Sequence, residues 1–342
     1  MKAKIKPRIE LTNRTRLETV IPIDVPFLVF LDPSDRCNFR CNFCPTGNRE
    51  LIRQVKRRPQ LMDFDLYRKV IDDLCEFPTP IKVLRLYKDG EPLLHPRFPE
   101  MVKYAKDRNC ALQVDSTTNA SLLSPEKNLA IIDAGLDKIF ISVEGLSSQA
   151  YKRTAGYPLD FDRFVENIRH FHEHSGQCEV LVKIVDTGLT EEDKQRFFQT
   201  FGDICDSIFV EHVAPCWPTF EMEGAEPSSE VGIFGQPIRE VIVCPYIFYS
   251  LSVNSDGKVS LCFLDWARQL IIGDLGHESF RDIWTGHKLF EYRKLHLQKR
   301  RKEHPICGEC GQLSHCLPDD IDAHADVLLD RLLESMTRRR ET

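Results

Sequence analysis

The chain has 342 residues, 42% hydrophobic and 29% charged, the balance of an ordinary globular protein that buries one large core plus a smaller module. Its formal charge of −6 gives no global basic field, which argues against a nucleic-acid partner, and no apolar run approaches the ~18 residues that a membrane span needs. Thirteen cysteines, an odd number at ligand-like spacings without a signal peptide, point to metal binding in a reducing, cytoplasmic compartment and away from disulfides.

Apolar strand-like runs then alternate with helical patterns. Phe27–Leu31 leads into Asp35-Arg-Cys-Asn-Phe-Arg-Cys-Asn-Phe-Cys44, and Ile81–Tyr87 leads into Asp89-Gly90-Glu91-Pro92. Ala111–Val114 runs into Ser116-Thr-Thr-Asn119, Lys138–Val143 into Glu144-Gly145, Val180–Val185 into Asp186-Thr-Gly188, and Ser207–Val210 into Glu211-His212. Between them lie helix-period segments at Leu66–Cys75, Arg97–Arg108, Pro125–Ala134, Phe161–His172 and Glu191–Phe201. Six β/α units in succession predict a parallel sheet with right-handed crossovers and active residues at the C-terminal strand ends.

The most informative of those strand ends is the first. Cys37, Cys41 and Cys44 are spaced Cys-x3-Cys-x2-Cys, so three thiolates of one short loop can hold three irons of a 4Fe-4S cube and leave the fourth open to a small chelator. Zinc suits sulfur ligands as well, but it needs a fourth ligand, usually from a second pair at Cys-x2-4-Cys or His-x3-5-His spacing, and no such pair lies within the next fifty or so residues. With Phe43 before the third cysteine, the loop resembles the Cys-x3-Cys-x-aromatic-Cys motif of the radical S-adenosylmethionine (SAM) superfamily at every position. The resemblance implies a partial (β/α)6 TIM-like barrel over about residues 25–215. It also implies a SAM-binding 4Fe-4S cluster, reductive cleavage of SAM to a 5′-deoxyadenosyl radical, and a reducing partner such as flavodoxin or ferredoxin.

The same resemblance assigns cofactor-binding roles at the other strand ends. Gly90 and Glu91 match the family's Gly-Gly-Glu-Pro element, which takes the SAM amino group, with Asp89 in place of the first glycine; that is tolerable wherever its φ is negative. Ser116, Thr118 and Asn119 fall where the family contacts ribose or the methionine carboxylate, Ser142 and Glu144 follow at the next strand end, and Arg153 and Lys183 are candidates for the methionine carboxylate. For Asn119, Arg153 and Lys183 a solvated or capping side chain is the competing reading.

A second thiol set occupies the C-terminal third. Cys244-x12-Gly257-x4-Cys262 encloses a hairpin pattern, Phe248–Val253 and Lys258–Phe263 around the turn Asn254-Ser-Asp-Gly257, and after about forty residues of helical pattern come Cys307, Cys310 and Cys316. A zinc ribbon fits these spacings too. The pattern resembles the SPASM/Twitch extension of radical SAM enzymes. It departs from the full SPASM version, since Asp320 stands where a further cysteine is expected; the resemblance therefore implies one auxiliary 4Fe-4S cluster on Cys244, Cys262, Cys307 and Cys310, with Cys316 a spare or the ligand of an incomplete second cluster. The expected organisation is an N-terminal extension (1–25), the barrel (26–215), a linker (216–243), the auxiliary-cluster domain (244–320) and a C-terminal helix and tail (321–342).

Other features carry less. His170 and His174 suit a helix surface, Cys75, Cys110, Cys178 and Cys205 suit apolar packing, and the run Arg53, Lys56, Arg57, Arg58 suits a solvated face or a grip on phosphate. Cys216, in a loop after the sixth strand, is a candidate hydrogen-atom donor to a substrate radical. About 26 residues precede the first strand and the chain ends Arg-Arg-Arg-Glu-Thr, which argues against a peptide-recognition domain and against the Gly-Gly tail of the molybdopterin cyclase. The expected substrate is a sugar or cyclitol, dehydrogenated or epimerised. Peptide or protein side-chain modification and a non-enzymatic iron-sulfur electron carrier are the alternatives.

Overall fold

The apolar runs become strands because a parallel sheet is buried on both faces and accepts continuous Val, Ile and Leu. In chain order they are β1 (Lys4–Ile5), β2 (Leu28–Leu31), β3 (Ile81–Arg85), β4 (Ala111–Thr118), β5 (Lys138–Val143), β6 (Glu179–Val185), β7 (Ser207–Glu211), β8 (Ser250–Val253), β9 (Lys258–Ser260) and β10 (Ile271–Asp274). This computed structural model describes residues 1–222, 228, 230–316 and 319–341. All ten strands join one sheet in the order β1-β7-β6-β5-β4-β3-β2-β8-β9-β10. The six parallel strands β2 to β7 each pair with their neighbour in sequence, and β2 and β7 stand at opposite ends of that run, so the barrel is partial.

The crossover helices are set by caps and by one apolar stripe each. Helix Phe64–Cys75 starts at Asp63, whose carboxylate accepts the Asp65 and Leu66 N–H groups, and it buries Tyr67, Val70, Ile71 and Leu74 at helical spacing. Helix Glu191–Phe201 opens on a capping box between Thr190 and Asp193. Among the described residues no helix is long and apolar enough to cross a membrane.

The structure departs from the sequence pattern in several places. The hairpin strands read as Phe248–Val253 and Lys258–Phe263 shorten to Ser250–Val253 and Lys258–Ser260, with Tyr246–Tyr249 a helical turn. β4 runs on to Thr118, because its polar end is held inside the sheet: Arg85 pairs with Asp115 at 3.2 Å and Ser116 Oγ donates to the Leu86 carbonyl at 2.8 Å. The short β1 lies parallel to β7, and β8 lies parallel to β2 over four register pairs, Leu28 to Leu31 against Ser250 to Val253. The β8–β9 hairpin therefore extends the barrel sheet, and β10 closes it antiparallel to β9. Its turn needs Gly257, which sits at φ +82° and donates its N–H to the Asn254 carbonyl at 2.9 Å.

Candidate active site with two thiol clusters

Cys37, Cys41 and Cys44 lie in the loop that follows β2, beside the ends of β3 and β4. Gly90 makes this possible. A Cβ there would collide with the carbonyl oxygens of Ser34 and Arg36, so the cysteine loop packs directly on the Gly90 backbone. Asp89, the departure from the family pattern, has no positive φ. The Glu91 N–H donates to the Arg36 carbonyl at 2.8 Å. The buried Glu91 carboxylate accepts from the Thr118 hydroxyl (2.7 Å), the Asn119 N–H (2.7 Å) and the Leu93 N–H (2.9 Å). Asn119 in turn donates its side-chain amide to Asn38 at 2.9 Å. Glu91, Thr118 and Asn119 thus form a latch between two strand ends and the cysteine loop. Three of the roughly four acceptor positions of the carboxylate are filled by protein.

Burial dominates the thiols. It pushes Cys37 up to about 12, with Glu91 adding to the rise, and Cys44 up to about 11 against N–H groups of Thr46 and Gly47 that point at its sulfur. Cys41 is raised well above a normal thiol by burial, then by Glu144, Cys44 and Cys37. The three sulfurs therefore lie within one another's field, protonated until a metal displaces the protons.

Phe43, Glu144 and Arg153 line one pocket with Ser147, Asp193 and Arg196, across the C-terminal ends of β5 and β6. Burial lifts the Glu144 carboxyl to about 7, opposed by Lys183. Lys183 faces Ser142 in the β5–β6 register, but its ammonium is held by Glu211 at 3.0 Å, and Arg8 binds the other Glu211 oxygen at 2.8 Å. The structure thus brings Phe43, Glu144 and Arg153 together, and gives Ser116, Thr118, Asn119, Lys183 and Glu91 protein partners.

A buried ionic seam joins the cysteine loop to the C-terminal hairpin. Arg57 reaches Asp89 at 3.0 Å and Asp35 at 3.4 Å, Arg268 reaches Asp35 at 2.7 Å and Asp256 at 2.9 Å, and Lys88 bridges Asp89 (2.8 Å) and the Asp265 carbonyl (3.3 Å). Burial opposes the ionisation of Asp89, yet Arg57, Lys88 and Arg268 hold its carboxyl below the usual range; neighbouring Asp32 is pushed up to about 7 by burial and by Asp89. Arg57, read from its basic run as solvated, is one of the seam's anchors. Against the seam residues Asp35 and Arg57, a cleft of about 740 Å³ opens beside Cys37, with Arg36, Arg49 and Arg53 also in its wall.

Cys244, Cys262, Cys307 and Cys310 line a single cavity, shared with Leu264 and His296. Burial raises all four thiols, Cys244 and Cys307 to about 12, and each feels the charge of at least one of the others or of Cys216. Four thiols around one cavity are a donor set that suits an iron-sulfur group. Cys216, by contrast, packs with Phe234, Ile233 and Cys316. A hydrogen bond from the Cys316 thiol holds Cys216 below the usual thiol range, with Arg8 adding to the effect. That pairing links residues far apart in sequence, and no local pattern announces it.

A family model for the radical SAM superfamily matches residues 31–204, and one for the SPASM iron-sulfur cluster-binding domain matches residues 244–311. A tungsten-containing aldehyde ferredoxin oxidoreductase cofactor-modifying protein of Pyrococcus furiosus is 24% identical over 327 residues, 84% of this chain and 88% of that protein. An AdoMet-dependent heme synthase of Methanosarcina barkeri is 21% identical over 331 residues, 84% of this chain and 88% of the synthase. The crystal structure of BtrN in complex with AdoMet and 2-DOIA matches with a TM-score of 0.57 at 17% identity, over 87% of this chain and 98% of that one, a likeness of fold.

Proposed function

The chain belongs to the radical SAM superfamily and carries a SPASM iron-sulfur domain, and from that footing we propose that it oxidises a small polar substrate, a sugar or cyclitol, at a carbon–hydrogen bond. When bound, the SAM-binding cluster, SAM and the auxiliary cluster supply a 5′-deoxyadenosyl radical that removes a substrate hydrogen atom, and an acceptor for the electron released as the substrate radical loses a proton. Cys37, Cys41 and Cys44 would hold the first cluster, and Cys244, Cys262, Cys307 and Cys310 the second. Phe43, Glu144 and Arg153 border the pocket in which SAM would lie against the first.

The observation that carries this reading is the second thiol set. Four cysteines from a hairpin and a distant helical segment enclose one cavity, which leaves a place for a fully ligated electron acceptor beside the barrel. Cys216 fits hydrogen-atom return less well, because its sulfur accepts from Cys316 and packs among apolar side chains. Dehydrogenation is therefore favoured over epimerisation. A second reading, modification of an organic cofactor, is favoured by the cofactor-modifying protein and the heme synthase, both similar along most of the chain.

Reconstituted protein is expected to carry about eight irons, four per cube, and Cys37→Ala with Cys41→Ala and Cys44→Ala to retain about half of them and cleave no SAM. Anaerobic incubation with SAM, dithionite and candidate sugars, cyclitols or tetrapyrroles, following 5′-deoxyadenosine and product mass, tests the substrate. A product two mass units lighter, without deuterium from D2O and unaffected by Cys216→Ala, is expected. An isomer of the substrate that gains one deuterium from D2O, and is no longer formed in Cys216→Ala, would replace dehydrogenation with epimerisation.

A further inference from the structure

We propose that His296 donates its ring N–H to a sulfur of the auxiliary cluster and thereby raises that cluster's reduction potential; the inference rests on the reading that Cys244, Cys262, Cys307 and Cys310 hold an iron-sulfur cube. Helix His287–Leu297 turns Leu289, Arg293, His296 and Leu297 inward. His296 is 1% exposed, lines the same cavity as the four thiols, and has no hydrogen-bond partner at either ring nitrogen. The other polar side chains on that cavity are provided for. Asp265 accepts from the Ser260 hydroxyl and the Gln269 and Leu270 N–H groups, and Arg301 donates to the carbonyls of Ile242 and Cys307.

A buried donor with no partner is costly to keep, and it calls for a recipient in the space it faces. A neutral imidazole always has one N–H to give. Four thiols already supply one ligand to each iron of a cube, so the imidazole serves as a donor outside the ligand set. Hydrogen bonds to the sulfurs are one of the main settings of iron-sulfur potentials, because they delocalise the extra charge of the reduced state. A raised potential is what an acceptor for a substrate-derived electron requires.

The test uses the Cys37→Ala, Cys41→Ala, Cys44→Ala protein, reconstituted anaerobically so that only the auxiliary site can load. Iron and sulfide are counted, and the cluster is titrated by EPR-monitored potentiometry in three forms: His296 intact, His296→Leu and His296→Gln. All three are expected to hold about four irons, with the Leu midpoint shifted to more negative potential, the Gln midpoint between the two, and an exchangeable proton coupling in the reduced cluster lost only in Leu. An unchanged Leu midpoint at full iron loading overturns the proposal, as does iron loss in both variants, which would make His296 a ligand or a packing residue. Failure of the His296 form to bind iron would instead refute the auxiliary-cluster reading.

Discussion

Glu91→Ala tests whether the latch under the cysteine loop is structural. The substitution removes an acceptor for two buried backbone N–H groups and one hydroxyl, at 2.7 to 2.9 Å. Hydrogen bonds to a charged group contribute about 1.5–3 kcal/mol each. Burial works the other way, lifting the carboxyl from 4.5 to about 6 despite the Asn119, Thr118 and Leu93 bonds, an offset of about 2 kcal/mol when it is ionised. The net loss is about 2.5–7 kcal/mol, a large share of the stability of a typical domain. Because the folded carboxyl holds a proton that the unfolded chain has already released, its contribution falls as pH rises from 4.5 to about 6. The Ala variant should lack that segment of the pH profile. Urea denaturation of the metal-free protein from pH 4.5 to 8, with iron content and SAM binding measured in parallel, reads all of this. A variant as stable as the parent that has lost only SAM affinity would show that Glu91 acts as a ligand and that the latch reasoning is wrong.

Two further substitutions probe the neighbouring contacts. Gly90→Ala drives a methyl into the carbonyls of Ser34 and Arg36, so the cysteine loop must move; a loss of about 1–3 kcal/mol and about half of the bound iron is expected, and full iron loading would mean that the loop adapts freely. Arg268→Met strips Asp35 and Asp256 of a partner at 2.7 and 2.9 Å in a seam where Arg268 is nearly buried. It should cost about 3–5 kcal/mol in urea denaturation at pH 7, and a change under about 1 kcal/mol would show that the seam is hydrated.

The first thiol site was legible because its three ligands are local: one loop of eight residues after an apolar strand carries the whole donor pattern. The six-strand order was legible too, since each of β2 to β7 pairs with its sequence neighbour. What stayed hidden depends on long-range pairing. Nothing near Leu28 tells that Ser250 lies beside it, or that the polar end of β4 stays in the sheet because Arg85 and Glu91 await it. Arg57 looked like one of a solvated run because a charge count cannot see Asp35 and Asp89 converging from other loops. His296 did carry a faint signal. It sits on the stripe of Leu289 and Arg293 that helix His287–Leu297 turns inward, but a buried histidine on such a stripe has no chemistry until its cavity is known.

The pairing of β8 with β2 has a consequence for how such an enzyme can be rebuilt. β2 delivers the loop of the first thiol set, and β8 begins the hairpin that carries Cys262 of the second, so the two are mounted on adjacent strands about 4.8 Å apart. The auxiliary module is not a bead on a string. Excising it at a linker would strip β2 of its outer neighbour and expose a raw sheet edge, whereas a graft that carries β8 along would preserve the spacing between the two redox sites. Chimeras of this architecture should therefore be cut before Cys244, so that β8 and all four auxiliary cysteines travel together, with the seam arginine Arg268 and its aspartate partners moved as a matched set.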